Sequence, residues 1–385
     1  MKVVIAPDSF KESLSAAEVA AALAVGLRRV LPALEIIEVP MADGGEGTLQ
    51  AMAASTRVSL HAVEVRDALG QPISARYGVL DDGHRALIEI AEVIGLDKIP
   101  AARRSPLRTS SFGVGQMILA CLERGARHLV VGLGGSATVD GGAGMLQALG
   151  VRFFDGDGVA IIEPLAGASL ADIAALDVRE LDPRLCHTRI DIASDVDNPL
   201  CGVRGAAAVF GPQKGASAAD VVTLDRNLRQ LFSLLEQSCG WQVAERPGAG
   251  AAGGLGAALL LVLNGQLRPG VEVVMEAVGL RHHLHGASLV VTGEGRVDAQ
   301  TLFGKAPAGV ARLAHEMGIP VVAIGGSVQA TEALWRSGLF DALEAAVTEP
   351  CAVADALRDA CSNVTQAGVR LGLWLALLSK LHPSL

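Results

Sequence analysis

The stretch Gly132-Leu-Gly-Gly-Ser-Ala-Thr-Val-Asp-Gly-Gly-Ala-Gly144 follows the apolar run Leu129-Val130-Val131 and separates two kinds of α/β protein. Backbone without β-carbons can close on a charged ligand, and the amides so exposed suit phosphate oxygens. Gly132-x-Gly134-x-x-Ala137 behind a strand fits the dinucleotide fingerprint G-x-G-x-x-G/A, which points to a doubly wound dehydrogenase. The same loop carries Ser136, Thr138 and Asp140. Hydroxyls and a carboxylate among glycines suit phosphoryl transfer instead.

Outward from this loop, both ends of the chain alternate strand and helix. Residues 2–6 form a β-branched run that ends in Pro7-Asp8-Ser9, and residues 16–30 read as a helix. Residues 35–40 are a second strand, closing on Met41-Ala-Asp-Gly-Gly-Glu-Gly47. Far downstream, 287–291 is a strand ending at Thr292-Gly-Glu-Gly-Arg, 305–317 a helix, 320–324 a strand ending at Gly325-Gly-Ser, and 342–347 a last strand. Such βαβ alternation implies a parallel sheet. Between these halves, residues 61–95 alternate apolar and polar, with turn signals at Asp67-Ala-Leu-Gly70 and Asp81-Asp-Gly83, as antiparallel hairpins do. Mixed helix and strand patterns fill 105–280. One sheet interrupted by a mixed segment predicts a domain inserted into another. Ligands of open α/β sheets bind at the carboxyl ends of strands. The 8–11, 43–47, 293–298 and 325–327 segments are expected there, as loops converging on one rim.

Composition agrees with an α/β enzyme of two domains. The chain has 385 residues, more than one core usually holds. It is 50% hydrophobic but 3% aromatic, with 45 glycines, which suits small aliphatic layers better than a β-sandwich. A formal charge of −9 without a basic face excludes nucleic acid as a partner. Six scattered cysteines without C-x-x-C spacing read as reduced thiols, and the first residues lack a signal-peptide layout, so a cytoplasmic protein is expected. The apolar stretch 371–378, flanked by Arg370 and Lys380, is too short to span a membrane and reads as a docking helix. His282-His-Leu-His285 lacks zincin spacing and reads as a turn. No G-x-x-x-x-G-K-[ST] and no G-x-S-x-G elbow occur.

Several segments carry chemistry. Asp8-Ser9-Phe-Lys11 places a carboxylate, a hydroxyl and an ammonium after the first strand; Ser13 or Ser15 would cap the following helix, and Lys11 could meet phosphate. Asp43-Gly-Gly-Glu46-Gly47 sets two acids among glycines. Asp195-Val-Asp197-Asn-Pro-Leu200 follows a strand at 188–192. Acids at i and i+2 of extended chain share a face, where both could meet Mg²⁺ or a hydroxyl. An Asx-type turn before Pro199 is the plainer reading. Lys214, in Gly211-Pro-Gln-Lys-Gly215, is a candidate phosphate clamp. Arg296 could hold a carboxylate bidentately, with Glu294 and Asp298 as metal or base groups. The tract Pro247-Gly-Ala-Gly-Ala-Ala-Gly-Gly-Leu-Gly256 suits a hinge, close helix packing or a ligand loop.

In this order the segments resemble the bacterial glycerate kinases of the first type, over nearly the whole chain. The resemblance rests on 6–11, 40–48, 134–138, 195–200, 211–215, 247–256 and 292–296. It implies ATP-dependent phosphorylation of D-glycerate, with 2-phosphoglycerate as the expected product and 3-phosphoglycerate as the alternative. It further implies a flavodoxin-like domain of strand order 2-1-3-4-5, made of 1–60 and 285–385. A mixed α/β domain, 61–284, is inserted into it, with the active site in the cleft between them. Asp195, Asp197, Lys11 and Lys214 are then the catalytic candidates, the two aspartates also for Mg²⁺ and for the hydroxyl proton. Asp8, Ser9, Asp43, Glu46, Glu294, Arg296 and Asp298 are expected at the substrate, and Gly134, Gly135, Ser136, Thr138 and Asp140 at nucleotide phosphate. A homodimer is one option for the assembly. Val139 stands where the family usually has asparagine and offers no side-chain hydrogen bond. A nicotinamide-dependent hydroxyacid oxidoreductase rests on the fingerprint alone, and a non-catalytic sensor would have no use for so many acids.

Overall fold

The structure, a computed structural model, describes every residue except 46, 55–57, 81–82 and 382–385. Two compact units emerge: one of 1–43, 50–57 and 271–385, the other of 44–49 and 58–270. Along the chain come β1 (Lys2–Ile5), β2 (Glu35–Glu38), β3 (Val58–Arg66), β4 (Pro72–Leu80), β5 (Arg85–Glu89), β6 (His128–Gly132) and β7 (Arg152–Phe154). They continue as β8 (Ala175–Asp177), β9 (Arg189–Ala193), β10 (Gln266–Arg268), β11 (Leu289–Val297), β12 (Val321–Val328) and β13 (Ala342–Ala345).

The first unit is built on a sheet of order β13-β12-β11-β1-β2 with every pairing parallel. Counted within the unit this is the 2-1-3-4-5 order of flavodoxin-like sheets. Parallel neighbours need crossovers, and the helices Ala16–Val30 and Ala306–Glu316 supply two of them. A strand covered on both faces reads as an unbroken apolar run, and Val3, Val4, Ile5 and Ala6 are all fully buried. The first helix begins where its side chains can satisfy the free amides. Ser15 Oγ accepts from the Glu18 amide and the Glu18 carboxylate accepts from the Ser15 amide. The expected docking segment is part of a longer helix, Ala360–Leu381, packed on that first helix. A β-carbon on Gly26 would lie 2.1 Å from the Thr365 carbonyl oxygen, so the two backbones touch there.

Two expectations are corrected in this unit. The strand expected to end at Thr292 continues to Val297, and the next continues to Val328. Their register pairs Glu294 with Gly325 and Arg296 with Ser327. Glycine there serves strand-to-strand approach, since a β-carbon on Gly293 would meet the Ile324 oxygen at 2.0 Å. The segments 293–297 and 325–328 are therefore ladder and not loop. His282 and His283 lie in a short helix, Leu280–Leu284, instead of a turn.

The second unit holds a sheet of order β10-β9-β6-β5-β4-β3. The β3–β4 and β4–β5 pairings are antiparallel, while the β5–β6, β6–β9 and β9–β10 pairings are parallel. The first hairpin turns where expected, with Asp67 Oδ1 accepting from the amides of Leu69 and Gln71. Of the second turn, 81–82 lie outside the described residues. The helices Phe112–Glu123, Ala218–Cys239 and Leu255–Leu261 pack around β6 and β9 to form one apolar cluster.

Candidate active site

In the first unit a cavity of about 950 Å³ opens where β1 ends and β11 and β12 run on. Asp8, Ser9, Lys11, Asp43, Glu294, Arg296 and Asp298 all line it, so seven of the predicted substrate and phosphate residues come together. Glu46 lies outside the described residues. Asp8 is fixed by its own backbone, its amide donating to the Gly293 carbonyl at 2.8 Å. Its carboxylate accepts from the Ser9 amide at 2.6 Å. Burial, with the charge of Asp43 next and that of Glu294 further behind, raises the Asp8 carboxyl to about 7, against the pull of the Ser9 amide and Lys11.

The other acids in the cavity are held more tightly. Glu294, buried, accepts from Thr301 Oγ1 and from Lys305 Nζ, each at 2.6 Å. Asp298 caps the Gln300 amide at 2.8 Å and pairs with Arg296 Nε at 3.0 Å. Arg296 also donates from Nη2 to Gln329 at 2.7 Å, so part of its fork is engaged although the side chain is exposed. Lys11 is exposed on a tight loop ahead of the helix, which Ser15 and not Ser13 caps. Sequence reasoning gave Lys305 no role, because nothing between Gly304 and the helix start at Ala306 marks its partner Glu294.

In the second unit the glycine loop departs from a dinucleotide fold. Gly132 is inside β6, paired with Glu89 and Ala193, and residues 133–142 intervene before the helix Ala143–Ala148. The dinucleotide fingerprint needs its glycines at the opening of the helix, so that reading falls. Gly135 is exposed and Gly134 partly so, and they form the loop's outer turn. Beneath it lies Lys214, 2% exposed, donating from Nζ to Ser136 Oγ and to the Thr138 carbonyl at 2.8 Å each. Burial pushes this ammonium down to about 7, with the charge of Asp140 opposing. Thr138 Oγ1 is buried without a hydrogen-bond partner, an uncommon state that leaves it able to take one.

Asp140 was expected at phosphate and is instead wholly enclosed. It accepts from the amide and hydroxyl of Ser111 at 2.7 Å each and from the Gly142 amide at 3.1 Å. Its carboxylate shapes the loop from inside, because the donors that satisfy it all belong to the scaffold. Val139 is fully buried among the apolar residues of the same core. The departure from the family's usual asparagine is thus a packing matter in this chain. The second glycine tract is support: Gly253, at φ +71°, would set a β-carbon 2.0 Å from the Thr138 oxygen.

The loop after Asp43 meets the same strand ends. Gly44, at φ +87°, leaves no room for a β-carbon beside Gly270, and its carbonyl oxygen lies 2.7 Å from where one would sit on Gly132. Glu89, buried at the end of β5, accepts from the amides of Gly47 and Leu49 at 2.9 Å each. Sequence reasoning passed over it; the signal was an acid closing the apolar run Ala86-Leu-Ile88. Asp195 and Asp197 lie exposed beyond β9. Asp195 Oδ1 accepts from the Gly270 amide at 3.2 Å, and Asp197 pairs with Arg204 at 3.2 Å. Among the described residues no group of three or more His, Cys, Asp or Glu side chains is arranged to hold a metal. Magnesium on a nucleotide needs only one or two carboxylates beside phosphate and water, so this oxygen pair fits it chemically.

A parallel flavodoxin-order sheet with an acid-and-lysine cavity, and a glycine loop floored by a buried lysine, describe an α/β phosphotransferase. The chain belongs to the glycerate kinase family, whose profile matches residues 3–376. It is 44% identical over 382 residues to a glycerate kinase of Bacillus cereus, covering 99% of this chain and 100% of that one. It is 44% identical to glycerate 2-kinase of Escherichia coli, covering 98% of each. A crystal structure from Salmonella typhimurium LT2, described as a candidate glycerate kinase 2, superposes with a TM-score of 0.88 at 43% identity, over 99% of each chain. Family membership implies ATP as the phosphate donor. All six cysteines are free thiols, and no helix among the described residues is long and apolar enough to cross a membrane.

Proposed function

We propose that the protein transfers the γ-phosphoryl group of ATP to the 2-hydroxyl of D-glycerate. The observation that carries this reading is the glycine loop tied to the buried Lys214 beside an orphaned Thr138 hydroxyl, a site shaped for phosphate and not for a nicotinamide dinucleotide. The similarity to glycerate 2-kinase of Escherichia coli supports the acceptor and the 2-position.

In this reading Gly134, Gly135, Ser136 and Thr138 receive phosphate oxygens, and Lys214 offsets their charge from beneath. Asp195 and Asp197 hold Mg²⁺, which supplies charge neutralisation on the phosphates when bound. Arg296 attracts the glycerate carboxylate, Asp8, Ser9 and Asp43 meet its hydroxyls, and Lys11 offsets phosphate charge. Phosphoryl transfer asks for positioning and charge neutralisation more than covalent work, which is what side chains of these kinds supply. Removing one such charged contact is expected to cost about 2–4 kcal/mol of transition-state stabilisation.

Phosphorus NMR of the product from D-glycerate and Mg-ATP tests the reading directly. The expected product is 2-phosphoglycerate with stoichiometric ADP. A 3-phosphoglycerate resonance would reassign the hydroxyl, and no ATP consumption would end the proposal.

A further inference from the structure

We propose that Asp8 accepts the proton of the glycerate hydroxyl as the phosphoryl group is transferred. The inference rests on the kinase reading above and moves the base away from Asp195 and Asp197, both of which lie exposed, one of them paired with Arg204.

Of the acids that line the cavity of the first unit, Glu294 is neutralised by Lys305 and Asp298 by Arg296. Asp8 has no ion pair among the described residues. Its side chain accepts one hydrogen bond, from the neighbouring Ser9 amide to Oδ1, which leaves Oδ2 for a ligand. The backbone around it is pinned on two sides: the Asp8 amide donates to Gly293, and the Met41 amide donates to the Pro7 carbonyl. β1, flanked by strands on both sides, holds that end of the backbone in register with β11. The charged groups that face it are Asp43, Glu294 and Lys11. Lys305 stands behind Glu294, and Arg296 and Asp298 lie farther along the same wall. Burial, then the charge of Asp43 and, further behind, that of Glu294, hold its proton to about 7, where a base is half free at neutrality and strong enough to take a proton. Lys11 stabilises the carboxylate before transfer.

In the step itself, the hydroxyl oxygen bonds the γ-phosphorus while the bond from that phosphorus to the β–γ bridging oxygen breaks. The electron pair of the broken bond leaves with ADP. The hydroxyl proton passes to an Asp8 carboxylate oxygen and afterwards to solvent.

The test is kcat of the full chain with saturating D-glycerate and Mg-ATP between about pH 5.5 and 9, for the parent, Asp8→Asn and Asp43→Asn. The parent is expected to lose rate below about pH 7, following Asp8. Asp8→Asn is expected to lower kcat by about 10²–10⁴-fold and to abolish that acid limb, with KM for ATP changed less than about threefold. Asp43→Asn removes one neighbouring charge and is expected to shift the limb to lower pH, a change that a purely structural Asp8 would not produce. An active parent whose acid limb survives in Asp8→Asn overturns the assignment, as does a loss confined to KM. If Asp8→Asn does not fold, an unmoved limb in Asp43→Asn overturns it. A parent that phosphorylates no glycerate defeats the kinase reading instead, so the two failures are distinguishable.

Discussion

Asp8 holds its proton more tightly in the folded chain than in the unfolded one, where an aspartate titrates near 3.8. The native state then binds more protons between about pH 4 and 7. This contribution to stability is complete below the lower value and is lost as pH rises through about 7. Asp8→Asn removes the penalty. Its melting temperature is expected to exceed the parent's at pH 8, with the gap narrowing as pH falls and closing only below about pH 4, as differential scanning calorimetry would show. A variant that is less stable than the parent at pH 8 would contradict the burial described here. At this scale the sequence marked Asp8, Asp43, Glu294 and Arg296 as chemistry, because acids and an arginine beside strand-end glycines have few other uses. It did not mark which acid is left with its proton. That follows from the burial of Asp8 and the charge of Asp43, a residue distant in the chain, while Lys305 and Arg296 each occupy one of the other carboxylates.

Among the elements, strands and helices with one apolar face were legible. The first helix begins at Ala16 and ends at Val30 as read from its periodicity and its Ser15 cap. The strands β11 and β12 outran their expected ends, because glycines that read as loop punctuation instead permit two backbones to approach. The tract 247–256, ambiguous as sequence, braces the glycine loop at Thr138. Gly253→Ala is expected to cost about 3 kcal/mol, combining the left-handed backbone with a clash against the Thr138 oxygen. Gly286→Ala, with a similar positive φ but open space around it, is expected to cost only about 1 kcal/mol. Urea denaturation of the two variants separates steric from backbone strain; equal losses would mean that the close packing at Gly253 carries no weight.

For the whole molecule, ligand binding tests the phosphate role proposed for the glycine loop. Mg-ATP at a hundredfold its Kd is expected to stabilise the parent by about 2.7 kcal/mol. Lys214→Met leaves Ser136 Oγ and the Thr138 carbonyl without their donor, at a cost of about 1–3 kcal/mol. The same variant is expected to lose most of the ATP-dependent stabilisation, which thermal shift at several ATP concentrations would register. A full ATP response in Lys214→Met would remove the lysine from the phosphate site.

Local pattern was enough to specify the βαβ alternation, the hairpin region and the motif series shared with the glycerate kinases, since each depends on residues near one another in the chain; the sheet order was implied only by the resemblance to that family. Burial and partnership were decided only by tertiary structure. Lys214 reads as a candidate phosphate clamp, but its burial shows only when residues 76 and 78 positions away close over it. Asp140 reads as a phosphate ligand until Ser111 turns it inward, and Glu89 is silent until it binds the amides of Gly47 and Leu49. Charge and hydrogen bonding are properties of what surrounds a group. Those surroundings come from distant segments that the hydrophobic cores bring together.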